Sequence, residues 1–276
     1  MISRFSHATV TAAGAAVMLL AAGTVHAAQA SAGPAAGRAV PAWHGCAVDK
    51  AARGTLYVAN FYPMPVGTVS PIPVCTNVAG KPVPVGNGPG RIAITPNGKT
   101  AYVVNEYSGT VTPIRTATNT PGKPIPVEQA PIAIAITPNG KTAYVVNQDS
   151  NNVTPISTRT DKPGKDIQVA RRPVAIAITP NGKTAYVANI GFGLASSVIP
   201  ISTATNRTGK PIRVGDIPEA IVITKDGKTA YVLNFAAASG AHEGSVTPIS
   251  TATNTAAREI IVGINPSAIA ITPQAR

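Results

Sequence analysis

"AIAITPNGKTAYVVN" occupies Ala133–Asn147, and close copies stand at Arg91–Asn105 and Ala175–Asn189. The stretch begins with alternating small and branched residues, Ala133 to Ile136. Pro138-Asn139-Gly140 then interrupts it, and Asn and Gly tolerate the positive φ that a tight turn requires. Thr142 to Val146 follows, rich in β-forming residues. Two short antiparallel strands joined by a turn are the expected result.

Outward from this stretch, the repeat continues. Tyr57, Tyr102, Tyr144, Tyr186 and Tyr231 are separated by 45, 42, 42 and 45 residues. Each has Asn three positions later: Asn60, Asn105, Asn147, Asn189 and Asn234. Thr95-Pro96, Thr137-Pro138, Thr179-Pro180 and Thr272-Pro273 mark one place in four units, and Thr224-Lys225 marks it in another. After the second strand comes a polar loop, then a third strand at Val153–Ile156. A turn ending in Gly164-Lys165 leads to a fourth, Ile167–Val169. Four strands in a period near 40–45 residues are the signature of a β-propeller blade. A helical repeat would need a 3.6-residue apolar period, and none is present. With 25 Gly and 26 Pro in 276 residues and only 4% aromatic residues, the composition also favours short strands and turns.

"TPNGKTAYVVN" followed by "VTPIST" resembles the repeat of the YVTN family of β-propellers, from Leu56 to the C-terminus. The resemblance implies a propeller fold and an exported or surface-associated protein. It carries no shared set of catalytic residues. Members of that family are commonly seven-bladed, so the blade count is read from this chain. The first unit lacks its first strand, and the last unit is only a first strand, Ala268–Pro273. Joined, they make a fifth blade. The expected fold is all-β: a five-bladed propeller of four-stranded blades, its ring closed by pairing the C-terminal strand with the N-terminal three. An incomplete ring finished by dimerisation is the structural alternative; a monomer is expected.

The first thirty residues read differently. Arg4 precedes an apolar run from Ala12 to Ala22, and Val25-His26-Ala27 and Ala28-Gln29-Ala30 are both small-residue cleavage sites. Residues 1–30 are read as a secretory signal peptide, shorter in its apolar run than the ~20 residues of a membrane span. Residues 31–53 are a linker tied by Cys46, and 54–276 form one propeller domain. No later run is long enough to span a membrane. The protein is expected to be secreted or associated with the cell surface. There Cys46 and Cys75, the only cysteines, are expected to pair, contributing about 3 kcal/mol through loop restriction.

Beyond Arg4 the chain has 22 Lys and Arg against 11 Asp and Glu, a net charge of +11. Such a balance attracts acidic partners. The turns between first and second strands carry Lys99, Lys141, Lys183 and Lys228. Lys81, Lys123, Lys165, Lys210 and Arg258 are expected in the turns between third and fourth strands. Both sets would lie on one face as a double basic ring, a candidate site for an anionic polymer. Few aromatics interleave with them, which argues against base stacking.

The opposite face carries the loops that do not repeat. Its candidate binding residues are Phe61, Tyr62, Arg91, Tyr107, Phe192, Glu219, Phe235, His242 and Glu243. Arg91 and Glu219 replace small or apolar residues near the channel mouth and are expected to form an ion pair or to touch a ligand. Irregular loops on a rigid scaffold are the usual layout of a binding surface. No cofactor or metal is expected: beyond the signal only His44 and His242 remain, and the innermost strands are Ala, Ile, Val and Thr. Propeller lactonases and lyases need carboxylates, Asn or His converging on the channel. The reading is a non-catalytic binding or scaffold protein whose partner is an unknown protein or cell-envelope component. The alternatives are a lyase- or lactonase-like enzyme using His242, Glu243 and Glu219, and a polyanion binder.

Overall fold

The computed structural model describes residues 54–61, 66–191, 195–238 and 243–272. They form five antiparallel sheets and no helix, and the sheets are the blades of a β-propeller. Blade 1 contains β1 (Thr55–Asn60), β2 (Thr68–Pro73) and β3 (Val83–Pro84). Blade 2 contains β4 (Pro89–Ile94), β5 (Thr100–Asn105), β6 (Thr110–Arg115), β7 (Thr120–Pro121) and β8 (Ile125–Pro126). Blade 3 contains β9 (Pro131–Ile136), β10 (Thr142–Asn147), β11 (Asn152–Ser157), β12 (Lys162–Pro163) and β13 (Ile167–Gln168). Blade 4 contains β14 (Pro173–Ile178), β15 (Thr184–Asn189), β16 (Ser197–Ser202), β17 (Arg207–Thr208) and β18 (Ile212–Arg213). Blade 5 contains β19 (Asp216–Ile223), β20 (Thr229–Ala236), β21 (Glu243–Ser250), β22 (Thr255–Ala256) and β23 (Ile260–Ile264).

The fourth strand of blades 2 to 5 is thus in two pieces, both paired with the third strand. A proline in each third strand, Pro113, Pro155, Pro200 and Pro248, contributes to the break, and blade 2 adds a second. Pro113 in β6 has no N–H, and neither has Pro124 in the facing segment, so the ladder cannot run through. The Gly122 amide crosses the gap to the Pro113 carbonyl at 2.7 Å, as Gly164 does to Pro155 and Gly209 to Pro200.

The turn in the opening stretch is held by side chains. Thr137 donates its hydroxyl to Asn139 Oδ1 (2.7 Å), the Lys141 amide donates to the same oxygen (3.0 Å), and the Thr142 amide donates to the Thr137 hydroxyl (3.1 Å). Gly140 sits at φ 69°, a conformation that costs a side chain with a Cβ about 1–2 kcal/mol. Blade 5 builds the same turn with Asp226 in place of Asn.

Blade packs on blade through apolar faces. One core lies between blades 1 and 2, around Val69, Val83, Val103 and Ile114. Equivalent cores join blades 2 and 3, 3 and 4, and 4 and 5. A tyrosine crosses each of these four interfaces. Tyr57 donates to Asn119 Oδ1 (2.6 Å), Tyr102 to Asp161 Oδ1 (2.6 Å), Tyr144 to Asn206 Oδ1 (2.7 Å) and Tyr186 to Asn254 Oδ1 (2.6 Å). Every acceptor closes the turn after a third strand with a φ of 53–56°, which Asn and Asp adopt most readily.

Burial raises the phenol pKa of all four tyrosines; for Tyr102 the hydrogen bond and charge of Asp161 add to it. In the unfolded chain these phenols ionise near pH 10, while in the fold they stay neutral to higher pH. The folded state then holds more protons, so stability is complete below about pH 10 and falls as pH rises beyond it. Chemical denaturation between pH 8 and 12 should show this loss, and Tyr102→Phe should reduce its slope.

The strands, their order and the five-blade count agree with expectation. The ladder expected to complete blade 1 is not among those formed. The sheet of blade 1 has three strands, and among the described residues β1 pairs with β2 alone. Ala268–Thr272 is not in a ladder and is largely exposed.

Candidate binding face

Glu106-Tyr107-Ser108-Gly109 and Gln148-Asp149-Ser150-Asn151 are tight turns between second and third strands, ended by Gly109 (φ 58°) and Asn151 (φ 55°). They are pinned to the segment linking one blade to the next. The Asn87 amide donates to Ser108 Oγ (2.6 Å), the Glu106 amide to the Gly88 carbonyl (2.9 Å) and the Gln148 amide to the Ala130 carbonyl (2.9 Å). The innermost strands enter beside these turns, and each is bulged at the same point. Gly90, Ile132, Val174 and Glu219 are the extra residues, between Pro89 and Arg91 in blade 2 and between Pro218 and Ala220 in blade 5. A bulge re-aims one side chain per strand, and only in blade 5 is that side chain charged.

Phe61, after β1, meets Tyr107 of blade 2 edge-on, with ring centroids 5.3 Å apart and planes at 66°. Tyr107 keeps 54% of its surface exposed. Arg91 is exposed, and its guanidinium donates to the Gly90 carbonyl at 3.1 Å. Its charge acts on Glu106. Burial pushes the Glu106 carboxyl pKa up, Arg91 pulls it back, and Asp149 raises it further. The expected Arg91–Glu219 pair is therefore not formed among the described residues: Arg91 stands by the turn of its own blade, while Glu219 belongs to the bulge of blade 5. Burial also raises the Glu219 carboxyl, and its Oε2 has no hydrogen-bond partner among the described residues.

Phe235 is half-buried at the end of β20, and Glu243 is exposed at the start of β21. Tyr62, Phe192 and His242 lie outside the described residues, as does Cys46. Cys75 is half-buried in the turn after β2 and is not a free thiol. Among the described residues no group of three or more His, Cys, Asp or Glu is placed to hold a metal ion.

A feature that sequence reasoning missed lies on the same face. A cleft of about 260 Å³ between blades 3 and 4 is lined by Asn151, Arg171, Asn189 and Ile190, among others. One substitution beside it sets blade 4 apart. The Asn105, Asn147 and Asn234 amides each donate to a threonine hydroxyl on the third strand, Thr112, Thr154 and Thr247. Ile199 takes that place in blade 4, and the Asn189 amide turns instead to the Val187 and Ser197 carbonyls (2.8 and 3.2 Å).

All nine residues of the proposed basic ring are exposed, but they divide into two sets. Lys99, Lys141, Lys183 and Lys228 lie in the turns joining first to second strands, as expected. Lys123, Lys165, Lys210 and Arg258 lie instead where the outer strand is interrupted, part-way along the rim, and Lys81 lies just before β3, the single outer piece of blade 1. The proline break moves them out of the turn. An open groove of about 650 Å³ on this rim brings Lys165 and Arg207 together, with Asp166 beside them. Among the described residues one ion pair offsets these charges, Lys228 with Asp226 at 3.9 Å.

No known family and no curated protein matches the sequence. Solved structures do match the fold. Hydrazine synthase of Kuenenia stuttgartiensis is 29% identical over 64% of this chain and 49% of its own, with a TM-score of 0.60. This chain therefore spans about half the length of that one. The periplasmic gluconolactonase of Pseudomonas aeruginosa is 16% identical over 78% of this chain and 69% of its own, at a TM-score of 0.62. A functionally unknown protein of Desulfotomaculum acetoxidans is 20% identical over 73% of this chain and 67% of its own, at 0.60. No helix among the described residues is long and apolar enough to cross a membrane.

Proposed function

We propose that the chain is an exported binding or scaffold protein of the YVTN type, which engages a protein or cell-envelope component through the loops of blades 1 and 2. The Phe61–Tyr107 pair carries this reading. It puts an aromatic edge from one blade against another that stays exposed, with Arg91 and Glu106 beside it. Rigid aromatic and Arg side chains on a fixed frame are the groups that dominate binding hot spots. A Cys46–Cys75 bridge in the exported protein would tie the residues before Gly54 to blade 1.

The test is a thermal-shift and calorimetric screen of cell-envelope glycans and peptides against the full chain. A ligand should raise the melting temperature without being consumed. Tyr107→Ala should weaken it at least about 30-fold, a hot-spot loss of about 2 kcal/mol, while Lys123→Ala leaves it unchanged. Failure of every ligand to depend on Tyr107 or Arg91 would remove the reading.

The second reading is a lactonase-like enzyme, favoured by the likeness to gluconolactonase and by the buried Glu219 oxygen. Turnover of a sugar lactone that falls with Glu219→Gln would establish it. The third, a polyanion binder, rests on the nine exposed cations. Heparin binding should then weaken steeply from 50 to 200 mM salt, and binding that ignores salt would eliminate it.

A further inference from the structure

The turn after the third strand occurs five times, and the copy in blade 1 has lost its polar surface. Val74 stands where blades 2 to 5 have Thr116, Thr158, Thr203 and Thr251. Val78 stands where they have Thr120, Lys162, Arg207 and Thr255. Pro73, at the end of β2, likewise replaces Arg115, Ser157, Ser202 and Ser250. Val74 is 43% and Val78 59% exposed, and Cys75 lies between them. In this one blade, apolar residues have replaced polar ones at positions that water reaches.

A lost hydrogen-bond partner does not account for both valines. Thr116, Thr158, Thr203 and Thr251 each donate a hydroxyl to the glycine carbonyl of the turn before their second strand. Blade 1 enters β1 through Gly54 instead, so Val74 could follow from that change. Val78 could not. Thr120 and Thr255 bond Thr118 and Thr253 inside their own turns, and blade 1 retains the matching Thr76. What blade 1 alone has at this turn is the chain arriving at Gly54. It passes in contact: the Val74 amide donates to the Gly54 carbonyl at 2.9 Å, and a Cβ on Gly54 would lie 3.3 Å from Val74 Cγ2. Cys75 is not a free thiol, and Cys46 is the only other cysteine. Three residues before Cys46 stands Trp43, the only tryptophan of the chain; both lie outside the described residues. Three residues reach at most about 10 Å, and Val74 and Val78 are one and three residues from Cys75. A bridge at Cys75 therefore holds Trp43 within reach of both.

We propose that Trp43 docks on Val74 and Val78, so that the indole and the Cys46–Cys75 bridge together strap the segment before Gly54 onto the turn of blade 1. The occupant is the chain's own segment because the patch is too small for a separate protein. A stable interface needs about 800 Å² on each partner, whereas a segment tethered at Cys75 is already present at millimolar effective concentration. The strap depends on oxidation: with both thiols reduced, the indole alone holds the segment. It lies at the end of β1 and β2 opposite to Phe61, so it leaves the Phe61–Tyr107 face open. The inference rests on the bridge proposed above but not on any ligand of the loops.

Fluorescence of the single tryptophan tests this on the full chain, together with peptide mapping without reductant to detect the Cys46–Cys75 link. In the oxidised chain the emission should lie to the blue of that in denaturant and should resist quenching by acrylamide, equally at every protein concentration. Val78→Asp, with the link intact, should lower the docked-to-open ratio at least about tenfold, the weight of one apolar contact, and move both readings toward the denatured values. Reduction should move them the same way. Thr120→Asp, the matching change in blade 2, should move neither. A solvent-like emission from the linked chain overturns the docking and leaves the bridge standing. A blue emission that ignores Val78→Asp overturns it as well. So does one that fades on dilution, since a second copy would then cover the valines. If the map shows no Cys46–Cys75 link, the strap falls with the bridge, whatever the loops bind.

Discussion

Tyr144→Ala will destabilise the protein by about 3–5 kcal/mol, the usual cost of removing a buried aromatic ring. Tyr144 is 1% exposed and packs with Val146 and Val153 of its own blade and Val187 and Ile201 of the next. Its hydroxyl contributes a smaller part. Asn206 is exposed, so losing the 2.7 Å bond returns that acceptor to water rather than leaving it stranded. Tyr144→Phe should accordingly cost about 1 kcal/mol. In a chain of stacked repeats the damage falls on one interface. Denaturation followed by hydrogen exchange should show blades 3 and 4 opening first, with a melting temperature lower by about 10 °C or more. A loss spread evenly over all five blades would contradict this.

Asn147→Leu should cost about 1–3 kcal/mol in lost hydrogen bonding alone, before any strain from packing the larger leucine side chain. The Asn147 amide donates to Asn152 Oδ1 at 2.7 Å and to Thr154 Oγ1 at 2.8 Å, and all three residues are buried. Leucine cannot donate, and stranding a buried acceptor costs about 1–3 kcal/mol. Thr154 keeps its bond to Asp166 Oδ1 (2.6 Å), so Asn152 bears most of the loss. Adding Asn152→Val should recover the hydrogen-bonding part of that loss, because an apolar pair strands no acceptor. Equilibrium denaturation of the two single variants and the double decides it: an additive double variant would mean that the amide bonds are not the cause.

The blades were legible in the sequence because a strand needs only local signals. Tyr and Asn at fixed spacing, a Pro-Asn-Gly turn and alternating Ala and Ile define β9 and β10 without knowledge of any neighbour. What crosses between blades was not legible. Tyr102 and Asp161 lie 59 residues apart, and nothing local in either says that they meet. The basic residues show a third case. Lys123 follows Gly122 and looks like part of a turn, but Pro113 on the facing strand and Pro124 beside it remove the two amides that a continuous ladder needs. The break moves Lys123 to the rim. On the candidate face, the repeat located the irregular loops, but the Phe61–Tyr107 contact joins two of them from different blades. Arg91 stands out in the sequence as a charge among small residues, with Glu219 or a ligand as its expected partner, but a nearer carboxylate, Glu106, stands two residues beyond Val104, which faces Arg91 across β4 and β5.

Each tyrosine crossing runs from one blade to the next, never backward. A unit therefore carries one donor for its successor and one acceptor for its predecessor, Tyr144 and Asp161 in blade 3. Copying that unit in tandem would create both halves of a new joint at once and disturb none of the old ones. A gene encoding such a chain can lengthen or shorten by whole units without inventing a contact, which accounts for a text that varies so little from one copy to the next.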